Sequence, residues 1–279
     1  MDSHSSTSKN IIAGSFKPMI RDAREIDSLF DRDPFVGVRW GRVPVAGPEP
    51  FSFDERQRII VWFRQKRFGF HAGQAADGPR LQPHPPYHAF VHFLFWTGAR
   101  PSEAAGLRWG DVDLEAGVVR IVRSRHLWED SAPKTAQAAR TVELLPETTR
   151  VLRAMQPLRV TPDIPVFVNT NGAPLEPNSF LRPWYACLGA LGIRQRGLYA
   201  MKDTYISTAM TAGVNTAWLE AQTGVRYETL RRHYGKWLRT EGADSSKNSP
   251  VWPPIWPPKS RRRAQVRDFT ALEKCERGT

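Results

Sequence analysis

Apolar residues along this chain recur mostly at helical spacing, and in one region the period drops to two. Ile26, Leu29 and Phe30 mark a short helix over residues 21–30, which Pro34 ends. Ser52-Phe53-Asp54-Glu55 is a capping box, with a side-chain oxygen at the helix start and a carboxylate three residues on. The helix behind it carries Ile59, Ile60, Trp62 and Phe63 and runs out near Gly69. Residues 87–96 are apolar on nearly every side, the signature of a helix central to a core. Alternation then takes over, giving strands at 117–124 and 140–144 joined by a long connection through Pro133-Lys134-Thr135. Helical spacing returns at 146–156 and 180–191, with a short strand at 166–168 and a turn at Asn171-Gly172 between them. Three closely spaced helices follow at 199–212, 216–222 and 227–238, punctuated by Gly213 and Gly224. The fold class expected is mainly α with a small antiparallel β-sheet, an α+β arrangement.

Outside this patterned region the chain changes character. Residues 1–11 are polar and Ser-rich, and disorder is expected there. Residues 34–50 hold four prolines and read as a linker. From residue 240 the chain is Ser- and Pro-rich, with Trp252-Pro253-Pro254, Trp256-Pro257-Pro258 and then Lys259, Arg261, Arg262 and Arg263, a basic tail. The 279 residues carry a formal net charge of +12, which favours a polyanionic partner. Cys187 and Cys275 are too few for a disulfide framework or a zinc site and point to a reducing compartment. No apolar run approaches the roughly 18 residues of a membrane span, and the first ten residues lack the apolar core of a signal peptide. A cytoplasmic protein with no membrane partner is expected. His88 and His92 have metal-ligand spacing, one helical turn apart, but no third ligand stands near them, so no metal is expected.

The stretch TGARPSEAAGLRWGDVD, residues 97–113, places Arg100 at a corner between two helices, with Pro101 fitted to the first turn of the second. A forked, permanently charged guanidinium beside a helix N-terminus suits a phosphate or carboxylate. Thr97, Gly98, Arg100, Ser102, Glu103, Leu107, Trp109, Asp111 and Asp113 also match TGxRxSExxxLxWxDhD, with h apolar. The stretch thereby resembles the first catalytic box of the tyrosine recombinase (phage integrase) family.

The resemblance covers residues 51–239, the family's catalytic domain, and makes residues 12–50 the end of a core-binding domain and its linker. The helical clamp that usually precedes it is not evident, so a truncated product or an isolated catalytic half is expected. Family members use an Arg, a hairpin Lys, a His-x-x-Arg pair, a later His or Trp and a Tyr nucleophile. By resemblance, Arg100 is the first Arg, Lys134 the hairpin Lys and Tyr234 the nucleophile. Two positions depart. The His-x-x-Arg pair reads Tyr199-x-x-Lys202, with the spacing that keeps both on one helix face. The later His or Trp reads Val225, which donates no hydrogen bond. Arg226, Arg231 and Arg232 stand close enough in sequence to supply replacement charge for DNA.

The implied activity is site-specific cleavage and rejoining of double-stranded DNA through a 3′-phosphotyrosyl intermediate, by a homo-tetramer on two duplexes, without metal or cofactor. Cationic side chains would then carry the transition-state charge. Lysine at 202 keeps the charge but loses the fork, a loss worth roughly 1.5–3 kcal/mol, or about 10- to 150-fold in rate. Restoring arginine there is expected to raise cleavage. Two other readings need no cleavage: a relative that only occupies DNA, and a regulator using residues 205–238 as a helix-turn-helix with an Arg-rich last helix.

Overall fold

A computed structural model describes residues 6–25, 47–65, 87–131, 139–157 and 161–238. The chain divides into two compact units, Met1–Gly47 and Pro48–Thr279. In the first, helix α1 spans Ser6–Glu25. This differs from the disorder expected over residues 1–11 and from a helix beginning only at residue 21. Ile12, Phe16, Met19 and Ala23 repeat at helical spacing, a period hidden by the serines before them. The remainder of the 21–30 helix and most of the expected linker lie outside the described residues.

The second unit begins with Phe51 in its core, its backbone N–H donating to Thr204 Oγ1 at 2.8 Å. Helix α2, Phe53–Gln65, starts on the capping box read from the sequence: Glu55 N–H donates to Ser52 Oγ at 3.1 Å and Ser52 N–H to Glu55 Oε2 at 2.8 Å. Helix α3, His88–Thr97, is buried at eight of its ten positions. Its apolar circumference has a direct cause, since α2, α4 (Pro101–Ala105), α5 (Pro146–Met155) and α7 (Tyr199–Thr211) all pack around it. Phe90 and Phe93 meet Phe167 edge-on or tilted, and Phe90 meets Phe180 of α6, Pro177–Ala190.

A three-stranded antiparallel sheet lies beside this core. β1 (Val112–Asp113) pairs with β2 (Val118–Ile121), and β2 pairs with β5 (Arg140–Glu143), Val119 opposite Val142 and Ile121 opposite Arg140. The expected strand at 117–124 is thus shorter. Past Ile121 the chain leaves the sheet and forms a separate hairpin, β3 (Ser124–His126) with β4 (Glu129–Ser131). Leu127 and Trp128 turn it with φ of 51° and 69°, a turn that usually takes Asn or Gly. The expected strand at 166–168 reduces to the isolated bridges Arg108–Pro165 and Val168–Pro174.

Helix α8, Thr216–Thr223, and helix α9, Tyr227–Tyr234, follow α7 and close the described chain with a 3-10 turn at Gly235–Trp237. A second apolar cluster joins these three: Tyr205, Ile206, Ala209 and Met210 of α7, Leu219 of α8, Leu230 and Tyr234 of α9. Helix α7 therefore touches the main core with its first turns and this cluster with its last. The basic tail from residue 240 lies outside the described residues. Among the described residues no helix is long and apolar enough to cross a membrane.

Candidate functional site

Arg100 sits at the N-cap of α4, its backbone extended at φ −71° and ψ 148°. The corner exists because α3 stops at Gly98, whose φ of +64° closes the helix end. A Cβ at Gly98 would stand 2.5 Å from the Tyr205 ring, so space and backbone both demand glycine there. Glu103 then folds back on the helix start. Its Oε2 accepts the Arg100 backbone N–H at 2.8 Å, and its Oε1 accepts from Arg100 Nη1 at 2.7 Å.

The same carboxylate takes a second guanidinium. Arg140, at the start of β5, donates through Nη1 to Glu103 Oε1 at 3.1 Å and through Nη2 to Glu103 Oε2 at 2.8 Å. Burial raises the Glu103 carboxyl, but the Arg140 guanidinium, then the Lys202 charge and the Arg100 backbone N–H, outweigh it and hold the group down at about 2. Arg140 Nε reaches on to the carbonyl of Gln222, 3.1 Å away. Gln222 in turn brackets Glu143, accepting from its N–H at 3.0 Å and donating to its carbonyl at 2.9 Å. The last turn of α8 is thereby fastened to the sheet. Gly224, with φ +64°, lies so near that an added Cβ would press the Arg140 guanidinium at 3.2 Å.

Lys202, on α7, is 5% exposed and donates from Nζ to the carbonyl of Thr223 at 2.7 Å. With Arg140 on Gln222, two cations thus occupy carbonyls at the C-terminal end of α8, where orphan acceptors and the helix dipole favour positive charge. Burial pushes the Lys202 ammonium down to about 7, with Arg100 and Arg140 adding to the fall and Glu103 and Asp203 opposing it. The burial of Lys202 gives a different expectation for Lys202→Arg from the one the sequence alone supports. Nζ already fills its place on Thr223, and a larger guanidinium would overpack the site. The variant is expected to lose about 1–3 kcal/mol of stability and to gain no cleavage, checked by urea denaturation beside a cleavage assay.

Tyr234 ends α9 and is 7% exposed, its ring packed in the second apolar cluster and 5.8 Å from the ring of Trp237. Its hydroxyl donates to Asp203 Oδ1 at 2.5 Å. Burial, then the bond to Asp203, push the phenol well above its usual value. Burial also raises Asp203, against the opposing effects of Tyr234 and Lys202.

Of the residues expected from sequence, Arg100 and Lys202 share one electrostatic cluster, and Tyr234 joins it through Asp203. Tyr199, 58% exposed at the start of α7, stays outside the buried cluster although it shares the helix with Lys202. Arg226, Arg231 and Arg232 are exposed on and beside α9, and Val225 packs against the second apolar cluster. Lys134 lies outside the described residues. Glu103, Arg140 and Asp203 were not picked out as site residues. Glu103 lay in the matched box, Arg140 at the start of an expected strand and Asp203 beside Lys202, but their pairings span 37 residues for Glu103–Arg140 and 31 for Asp203–Tyr234, which no local spacing reveals. His88 and His92 stand with ring centroids 5.9 Å apart, and among the described residues no group of three His, Cys, Asp or Glu is placed to hold a metal. Burial, aided by nearby His88 and Arg56, drops His92 to about 3, so it is neutral.

Comparison with known proteins adds three findings. The model of the phage integrase family matches residues 81–247. Among curated proteins of Escherichia coli (strain K12), prophage integrase IntR is 30% identical over 174 residues, and IntQ, named as a defective protein, is 26% identical over 171. The matches cover about half of this chain, 52% and 51%, and less than half of those relatives, 42% and 43%. Among solved structures, the Tn1549 transposon integrase in complex with a circular intermediate DNA superposes with a TM-score of 0.65 at 16% identity, over 85% of this chain and 76% of that one. At that identity the likeness is one of fold.

Proposed function

Because the chain belongs to the phage integrase family, we propose that it is a site-specific DNA recombinase that cuts and rejoins double-stranded DNA with Tyr234 as nucleophile. The observation that carries this reading is the phenol of Tyr234 bonded to Asp203, whose helix neighbour Lys202 is coupled to Arg100 and Arg140. A nucleophile at the edge of a cationic cluster is what attack on a phosphodiester needs, since the transition state spreads negative charge over the non-bridging oxygens. Arg100, with 39% of its side chain exposed, is the guanidinium best placed to meet a phosphate from solvent. Lys202 adds charge from beneath, and Lys134, on the connection between β2 and β5, supplies the proton to the departing 5′ oxygen. The exposed Arg226, Arg231 and Arg232, with Tyr199, grip the backbone alongside and make binding fall with salt. The DNA is bound by a catalytic domain at 51–239, with the basic tail of 240–279 adding charge, and a homo-tetramer joins two duplexes.

The burial of Lys202 and its bond to Thr223 favour a second reading, a relative that holds DNA without cutting it. One experiment separates the two. The protein is incubated with a randomised pool of nicked duplexes, in which a cut strand loses its free end and the covalent adduct is trapped. A protein–DNA adduct that survives denaturation supports the recombinase. Tight binding with no adduct supports the non-cleaving relative.

A further inference from the structure

Tyrosine attack needs a place for the phenolic proton, and neither the guanidiniums, which stay charged, nor Lys202, whose Nζ is turned to the Thr223 carbonyl, offers one. Val225 carries no polar group. His233 is next to Tyr234 in sequence but points to another face of α9 and is partly exposed. The cluster holds two carboxylates. Glu103 is committed to two guanidiniums and held at about 2, so it is a poor base. Asp203 is half-buried, and its one hydrogen bond among the described residues is the 2.5 Å contact from Tyr234 Oη. That distance is at the short end of the range for an O–H donor on a carboxylate.

Resting on the strand-cleavage reading, we propose that Asp203 is the general base for Tyr234, taking the phenolic proton on Oδ1 as Oη attacks phosphorus. The Oη–P bond forms while the P–O5′ bond breaks, the electron pair of that bond leaves with the 5′ oxygen, and a separate acid protonates it. On rejoining, the 5′ hydroxyl gives its proton back to that acid's conjugate base as its oxygen bonds to phosphorus, the P–Oη bond breaks, and Asp203 returns its proton to Oη of Tyr234. Among the described residues, Tyr234 of α9 faces the carboxylate, and Lys202, its neighbour on α7, is the other titratable group that acts on it, by charge.

Asp203→Asn keeps the shape and the acceptor oxygen but not the proton affinity. In the full chain, on nicked duplexes that give an adduct with the wild type, its cleavage at neutral pH should fall by about 100-fold or more. Duplex binding in a gel-shift assay should be unchanged. The residual rate should climb by about tenfold per pH unit, as hydroxide replaces the carboxylate. A substrate with sulfur in the 5′-bridging position, which leaves without a proton, should not rescue this variant. Asp203→Glu should restore part of the rate. Cleavage by Asp203→Asn near the wild-type rate, a loss independent of pH, or rescue by the sulfur substrate would overturn the assignment and leave the recombinase reading standing. A wild type that forms no adduct on any duplex would remove both.

Discussion

Glu103→Ala is expected to destabilise the second unit by about 3–5 kcal/mol, the cost of leaving one member of a buried ion pair uncompensated. The loss falls chiefly through Arg140. Its side chain is 8% exposed and places two of its three guanidinium nitrogens on Glu103, whereas Arg100 can turn to water. The same pair predicts a pH dependence. Glu103 is held at about 2, below its ordinary value of 4.5, so the stability it contributes is complete above pH 4.5 and is lost as pH falls toward 2. Urea unfolding across that range should show a slope in the wild type that is flattened in Glu103→Ala. A variant within about 0.5 kcal/mol of wild type, as for an exposed substitution, would mean Arg140 is not held this way.

Tyr234→Phe is expected to abolish the covalent adduct outright while DNA binding persists. Phenylalanine preserves the ring that packs on Leu230 and Trp237 and removes only the hydroxyl. The structural loss is the bond to Asp203, about 1–3 kcal/mol for a half-buried acceptor left without its donor. That is small beside the loss of the only group the mechanism lets attack phosphorus. A denaturing gel reads the adduct and a gel-shift assay the binding. An adduct formed at wild-type rate by the phenylalanine variant would place the nucleophile elsewhere.

What the sequence disclosed and what it hid divide along a physical line. Interactions within three or four residues were legible. The Ser52–Glu55 capping box and the Arg100 corner with Pro101 at the first helical position both appear as read. The pairing of β2 with β5 was also legible, because alternation marks a half-buried strand. The β3–β4 hairpin was not. Its strands are exposed to half-buried and rich in charge, and its turn uses Leu127 and Trp128 where a signal residue would be Gly or Asn. It is pinned instead by charge on Asp130, from Arg125 across the hairpin and from Arg108 outside it. In the site, the charge of Lys202 was readable but its burial was not, since burial depends on α8 arriving from 21 residues away. Asp203 was passed over as the neighbour of Lys202. Adjacent residues do not share a helix face, yet α8 and α9 meet α7 from different sides and reach both.

The central claim is that a covalent bond forms between DNA phosphorus and the oxygen of Tyr234. The most direct measurement is mass spectrometry of the adduct after nuclease and protease digestion. The account predicts a nucleotide phosphate on the peptide containing Tyr234, attached through the 3′ side of the broken strand. The same modification on any other tyrosine, or on a serine, would contradict it.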